Sequence, residues 1–375
     1  MKQPAKDISV SVFAKTDTGI QRAGNEDAFL VADLTTGNVG LGAKMSTHRI
    51  GELGSLMVVS DGMGGAVAGE IASSMAVKII REALMKPWSE DICNQLRHAT
   101  ETANERIWEY AKENRKLTGM GATLTAVVIH ETSAYIAQVG DSRAYLIRGD
   151  QEKQLTKDQS LVQMLLDSGA IKPEEASTVA QNVIMQALGT SPTVDVAITS
   201  VELCRDDLLL VCTDGLSNKV TPEEMRDALR HSDSLNAACR RLVELANERG
   251  GEDNVTVIAA RFDGDALHSA AQSNSITGSF KVLNDGCFSG DLSHFSDQYA
   301  SMDSLPAEDV TTVVLKAATP ADLKSPHSAN PATPSQPKGR GLLPGAKRTS
   351  IVPLVVVLVL LLLLLGALVV LRTLT

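Results

Sequence analysis

Four aspartates stand where strand-like apolar runs end or begin. Asp61 follows SLMVVS within DGMGG, Asp214 follows LLLVCT within DGLSN, Asp141 follows IAQVG within GDSRAY, and Asp253 precedes VTVIAARF within GGEDN. Carboxylates fixed at the ends of rigid strands can converge, and hard divalent cations such as Mg2+ and Mn2+ take oxygen ligands of this kind. Any single Asp-Gly pair is most simply a turn. Two such pairs directly after hydrophobic strands, together with GDSR and EDN, weigh toward a cation site, and the spacing alone leaves both readings open. Rival chemistries have less to stand on. The seven histidines do not cluster, and the five cysteines (Cys93, Cys204, Cys212, Cys239, Cys287) lack a CxxC pair. That argues against zinc and against a disulfide framework, and the cysteines read as reduced thiols. No CxxxxxR phosphate loop accompanies Cys93, Cys204 or Cys212, so a cysteine nucleophile is not expected.

The elements that must position these groups are legible as alternating runs. Strands are expected at 55–60, 122–130, 133–140, 144–148, 196–203, 208–213 and 255–262, with 122–130 and 133–140 forming a hairpin. Helical periodicity covers 69–84, 89–114, 159–167, 222–230 and 234–248. Thr221 before Pro222 reads as an N-cap followed by proline at the first helical position. Glu174 and Glu175 read as a first helical turn. Hairpins imply antiparallel sheets, and the helices between them must pack outside, so 8–262 is expected to be an α+β layered domain. Residues 37–54 look like a Gly-rich insertion between the first two strands, either a hairpin extension or a loop that contacts a membrane or partner. Met57, Met63, Met75 and Met120 read as core or loop filler.

The chain has 375 residues, 43% hydrophobic and 21% charged, which is enough to bury a substantial core. Its formal net charge of −10 argues against a nucleic-acid binder, which would show a basic face. A mean hydropathy near zero conceals one uncharged run at 351–371, IVPLVVVLVLLLLLLGALVVL. A helix of that length matches the roughly 30 Å hydrocarbon core of a bilayer. The N-terminus has no long apolar region, so no signal peptide is expected. Lys338, Arg340, Lys347 and Arg348 precede the run and Arg372 follows it, a bias that places the large N-terminal part in the cytoplasm. The expectation is therefore a single-pass membrane protein with a C-terminal anchor. Between domain and span, 263–350 is rich in Ser, Ala, Pro and Thr and reads as a flexible tether with an r.m.s. reach of about 50 Å. Within it, TTVVL at 311–315 is either a sticky peptide or a chance apolar cluster.

Eight short strings occur in one order: RAGNED (22–27), DGMGG (61–65), GMGATLTA (119–126), GDSRAYL (140–146), LTKDQS (155–160), NVIMQALGT (182–190), CTDGLSN (212–218) and GEDNVTV (251–257). This series resembles the metal-dependent protein phosphatase 2C family in its bacterial form, over about residues 8–262. The resemblance implies a four-layer α-β-β-α sandwich of two antiparallel sheets flanked by helices, to which 351–371 would add one C-terminal transmembrane helix. It implies metal-dependent hydrolysis of phosphoserine and phosphothreonine in proteins by a metal-activated water, with phosphorylated proteins as partners and membrane-associated Ser/Thr kinases as the opposing activity.

The same resemblance implies roles residue by residue. Asp61 would bridge two Mn2+ or Mg2+ ions, the Gly62 carbonyl would complete one of them, and Asp214 and Asp253 would ligate the other. Asp141 would hold a third, weaker ion, with Asn182 as a further candidate ligand. Glu26 and Asp27 would accept hydrogen bonds from waters, Asn254 would orient Asp253, and Arg22 would grip the substrate phosphate through its planar fork. Two departures stand out. Met63 occupies the slot where animal members carry a His thought to protonate the leaving group, so water or another group would serve. Gln159 stands where relatives often have His, and TVAQNV lacks the usual His-Pro; both fall in the flap and bear on substrate handling. Other readings are a catalytically silent phosphoprotein-binding scaffold and a hydrolase of small phosphate esters.

Overall fold

Strand SLMVVS is apolar at nearly every position because both of its faces are covered. Leu56 and Val58 pack under helices, whereas Met57 and Val59 face a second sheet. LLLVC behaves the same way, with Leu209 and Val211 turned between the sheets and Leu208, Leu210 and Cys212 toward helices on the other side. Continuous apolar strands of this kind require a layer on each face. The computed structural model describes residues 7–86, 88, 91–270, 275–286 and 313–314.

In chain order the strands are β1 (Ser9–Asp17), β2 (Ala28–Asp33), β3 (Asn38–Val39), β4 (Ser46–Arg49), β5 (Ser55–Ser60), β6 (Gly62–Met63), β7 (Gly121–Ala122), β8 (Leu124–His130), β9 (Ser133–Val139), β10 (Arg143–Arg148), β11 (Gln151–Gln154), β12 (Val183–Ile184), β13 (Ala197–Glu202), β14 (Leu208–Cys212), β15 (Val255–Asp263), β16 (Lys281–Asn284) and β17 (Val313–Val314). The helices are α1 (Ala66–Leu84), α2 (Ile92–Glu113), α3 (Leu161–Asp167), α4 (Asp214–Ser217), α5 (Pro222–His231), α6 (Leu235–Glu248) and α7 (Ile276–Ser279). One sheet runs β11-β10-β14-β15-β1-β4 and the other β16-β13-β9-β8-β5-β2-β3. The pairings within both are antiparallel, including the expected β8–β9 hairpin. Helices α1 and α2 cover the second sheet through small facing residues, Ala68, Ala72 and Ala76 against Ala99 and Ala103. Helices α5 and α6 cover the first. The four-layer α-β-β-α expectation is therefore met.

Element boundaries differ from the sequence reading in instructive ways. Helix α1 starts at Ala66, three residues early, because Gly65 serves as its N-cap without any side-chain cap. Helix α2 starts at Ile92 because Asp91 accepts from the amides of Cys93 and Asn94. The 37–54 insertion serves both sheets: β3 extends the hairpin from β2, and β4 crosses over to pair with β1. The tether expected from 263 onward begins too early. Ile276 and Leu267 are buried in the core between the sheets, and β16 adds an edge strand beside β13. Apolar contacts and ladder hydrogen bonds hold these residues although their composition looks like linker. Val313 and Val314 of the TTVVL run pair in parallel with Val183 and Ile184. The span expected at 351–371 lies outside the described residues; among the described residues no helix is long and apolar enough to cross a membrane.

Thr221 caps α5 as expected, and Glu224 completes a capping box: the Glu224 amide donates to Thr221 Oγ1 and the Thr221 amide to Glu224 Oε2. Thr221→Ala is expected to destabilise the protein by about 1 kcal/mol without altering its activity. Urea denaturation of the full chain measures this, and a loss below a few tenths would show that Pro222 and packing set the helix start alone.

Candidate metal centre and active site

Antiparallel pairing decides which strand ends meet. Strands β5 and β9 each run antiparallel to β8, and β2 runs antiparallel to β5, so the exits of β5 and β9 share one edge with the entry to β2. That edge carries Asp61, Asp141, Glu26 and Asp27. In the opposite sheet β14 ends where the antiparallel β15 begins, which brings Asp214 and Asp253 together. The two sheets thus deliver their acidic ends to one rim of the sandwich. Arg22, Glu26, Asp61, Gly62, Asp253 and Asn254 line one narrow cleft there, together with Met63, Gly64 and Gly65. Glycine at 62 is dictated by space, since a Cβ there would collide with the carbonyl of Gly69 on the first turns of α1.

Hydrogen bonds hold the acids in place. The Arg22 guanidinium donates to Asp253 Oδ2 at 2.9 Å and to the Glu252 carbonyl at 3.2 Å. Asn254 is the hub: its Nδ2 donates to the carbonyls of Thr18 and Gly24, its Oδ1 accepts from the Glu26 amide at 2.7 Å, and its own amide donates to Asp253 Oδ1. Asp61 is tied through its main chain, with its amide donating to Thr123 Oγ1 and its carbonyl accepting from the Thr123 amide. Asp27 Oδ2 accepts from the hydroxyls of Thr256 at 2.6 Å and Thr213 at 2.9 Å, and Asp214 Oδ2 accepts from Asn218 Nδ2 at 3.0 Å. Thr123, Thr213, Thr256 and Asn218 had no assigned role in the sequence. Their signal was present, since each lies inside or beside a motif at a strand end where a buried hydroxyl or amide must find a partner.

The electrostatics of this rim are one-sided. Burial pushes Asp61 well above the ordinary carboxylate range, and Asp27, Asp214, Asp253 and Asp141 add repulsion. Asp141 is raised likewise by burial, then by Asp214 and Asp158. Burial also raises Asp27 to about 7 and Asp214 to about 6, with Asp253 among the repelling neighbours of both. Glu26 is raised by burial, partly offset by Arg22. Asp27 Oδ1 and Asp214 Oδ1 are buried without any hydrogen-bond partner. Unpartnered buried carboxylate oxygens are costly, and a cation is the partner that satisfies several at once. Among the described residues no three His, Cys, Asp or Glu side chains already form a closed ligand set. The fit of a divalent ion rests on the donor chemistry: hard oxygen donors, mutual repulsion and orphaned lone pairs.

Asp27, Asp141 and Asp214 are coupled to Asp61 electrostatically but do not line the narrow cleft. Asn182 directly precedes β12, also away from that cleft. Gln159 is a buried clamp: its Oε1 accepts from the Gly140 amide, next to Asp141, and its Nε2 donates to the carbonyls of Asp195 and Gly286. It braces the Asp141 loop, which differs from a part in substrate handling.

Comparison with known proteins agrees with this geometry. The protein phosphatase 2C family model matches residues 45–256. The serine/threonine phosphatase stp of Listeria welshimeri is 39% identical over 208 residues, 54% of this chain and 82% of that one. Protein phosphatase PhpP of Streptococcus pneumoniae is 36% identical over 251 residues, 64% of this chain and 93% of its own. A crystal structure of the catalytic domain of serine threonine protein phosphatase PstP, in complex with 2 manganese ions, superposes with a TM-score of 0.57. It is 34% identical and covers 68% of this chain and 99% of that one. The family model spans more than half of the chain, relatives at 36–39% identity are covered over most of their length, and the chain belongs to the protein phosphatase 2C family.

Proposed function

We propose that this chain removes phosphate from phosphoserine and phosphothreonine in proteins at the acidic rim, and that it opposes Ser/Thr kinases at a membrane to which 351–371 anchors it, with the catalytic domain in the cytoplasm. The observation that carries the chemistry is the set of buried, mutually repelling carboxylates with two orphaned oxygens, placed beside Arg22. Membrane anchoring is supported by the uncharged apolar run and its basic flank in the sequence.

Mn2+ or Mg2+ held by Asp61, the Gly62 carbonyl, Asp214 and Asp253, with a weaker ion near Asp141, would supply the Lewis acidity that activates water and offsets phosphate charge. The chain's own residues do the rest. Arg22 faces the cleft with a fork suited to two phosphate oxygens, and its ion pair with Asp253 holds it ready at the rim. Thr213 and Thr256 keep one oxygen of Asp27 occupied, so the other points in a fixed direction. Asn254 joins the Arg22 loop, Glu26 and Asp253 into one frame, which preserves their spacing during turnover. The unsatisfied amides of α1 begin at Gly65, directly on the cleft, with no acidic side chain in the first turn to compete with an anion. Met63 is buried and its thioether carries no proton to donate, so the departing alkoxide would take its proton from water or from another group.

The full chain should hydrolyse a phosphothreonine peptide with Mn2+ and lose that turnover in EDTA. Mn2+ binding without turnover of any phosphoester would leave a phosphoprotein-binding scaffold, and turnover of small esters alone would leave a metabolite hydrolase.

A further inference from the structure

A larger cleft of about 640 Å3 opens beside the narrow catalytic one. Its size falls within the range of about 300–1,000 Å3 typical of ligand clefts. Gly64 and Gly65 line both clefts, so the two adjoin. The shared edge is tightly built: Gly64 sits at φ +107° against Met120, a conformation and a spacing that exclude a side chain. On one wall Val67 is 69% exposed, a large apolar side chain on the first turn of α1. On the other wall lie Leu117, Arg115 and Lys116. Both cations are exposed, and among the described residues neither makes an ion pair. Glu113 is the single carboxylate of the lining.

This arrangement contrasts with the rest of the molecule. The chain carries ten more negative than positive charges, and the catalytic rim is made of carboxylates. Among the described residues, Arg115 and Lys116 face a partly apolar trough next to that rim without an ion pair, and Glu113 is the one carboxylate in its lining. We propose that this cleft seats the stretch of substrate polypeptide that flanks the phosphorylated residue, and that Arg115 and Lys116 select stretches carrying Asp or Glu there. Val67 and Leu117, on opposite walls, supply the apolar surface against which that stretch packs. The inference rests on the phosphatase reading and adds to it the class of sequence preferred.

Exposed ion pairs contribute about 0.2–1 kcal/mol each, so two cations correspond to roughly two- to thirtyfold in kcat/KM. The test uses the full chain with Mn2+ and phosphothreonine peptides that carry two Glu or two Lys, on the N-terminal side in one set and on the C-terminal side in another. On one side the Glu peptide should be turned over about two- to thirtyfold faster than its Lys counterpart. That ratio should fall toward one near 1 M salt, where the Debye length is about 3 Å. In the R115E/K116E variant it should invert, and in the single variants Arg115→Ala and Lys116→Ala it should shrink. Hydrolysis of p-nitrophenyl phosphate by each variant reports that it is folded and active. Equal turnover of Glu and Lys peptides by the native chain, or a ratio unchanged in active variants, overturns the inference. Failure of the native chain to hydrolyse either p-nitrophenyl phosphate or any peptide overturns the phosphatase reading instead.

Discussion

Asp61→Asn is expected to abolish turnover and, at the same time, to make the metal-free protein more stable. Asp61 is half-buried at the rim where both sheets end and is repelled by Asp27, Asp214, Asp253 and Asp141. An amide of the same shape keeps the main-chain bonds to Thr123, because those use the Asp61 amide and carbonyl and not the side chain. It removes the carboxylate that the neighbouring acids disfavour, which should raise the metal-free stability near pH 8. It also removes an anionic oxygen donor from the place where a divalent ion must be gripped, so activity should fall by on the order of 10³-fold. Mn2+ should then raise the melting temperature of the native chain more than that of the variant, since stabilisation by a ligand follows its affinity. Urea denaturation in EDTA supplies the first readout and thermal shift with Mn2+ the second. A variant less stable than the native chain without metal would show that Asp61 is chiefly structural.

Metal-free stability should fall as pH rises from about 5 to 7, the reverse of the usual behaviour of a protein rich in carboxylates. Asp27 is held at about 7 and Asp214 at about 6, with Asp61 and Asp141 also raised. In the unfolded chain all four ionise near pH 4. Between those limits the folded state retains protons that the unfolded state has released, so each rise in pH favours unfolding. The slope is about 1.4 kcal/mol per pH unit for each extra proton held. Groups displaced downward act elsewhere. Glu224, held at about 2 by Arg249, loses its contribution only as pH falls below about 4. With Mn2+ present the trend should reverse, because cation binding requires the deprotonated carboxylates and gains affinity as pH rises. Urea midpoints from pH 5 to 8, in EDTA and in Mn2+, give two curves expected to slope in opposite directions. A metal-free curve that climbs with pH would mean the acids of the rim ionise normally, and the orphaned oxygens would then need another explanation.

The site was unusually legible in the sequence because of how this fold buries its strands. A strand covered on both faces, such as β5 or β14, is apolar almost throughout, and the first polar residue after it marks its end. Asp61 and Asp214 lie within two residues after such strands, and Asp253 lies two residues before β15. Capping at Thr221 was equally local and equally readable. Edge elements were harder. Strand β4 (STHR) has exposed and partly exposed positions only, and β16 (KVLN) is largely exposed, so neither carries an alternation strong enough to separate it from loop. That is why 37–54 reads from sequence as a hairpin extension or a contact loop and why 263–350 reads as linker.

Gln159 and the threonines 123, 213 and 256 show a different limit. Their residue types suit a turn or a strand end, and nothing local says that Gln159 reaches Gly140, Asp195 and Gly286, or that two threonines from different motifs share one oxygen of Asp27. Those partners are set by chain crossings of up to 229 residues.

By itself, then, the sequence determined the order of the motifs, the strands that end in acid and the residue types that suit a hard cation, because these depend on local burial and spacing. Only the tertiary structure decided that Asp61 and Asp141 come from one sheet and Asp214 and Asp253 from the other, at a common rim. Bringing like charges together out of water raises their proton affinity and leaves oxygens unpartnered. The property that makes the rim a site for cations belongs to no single motif.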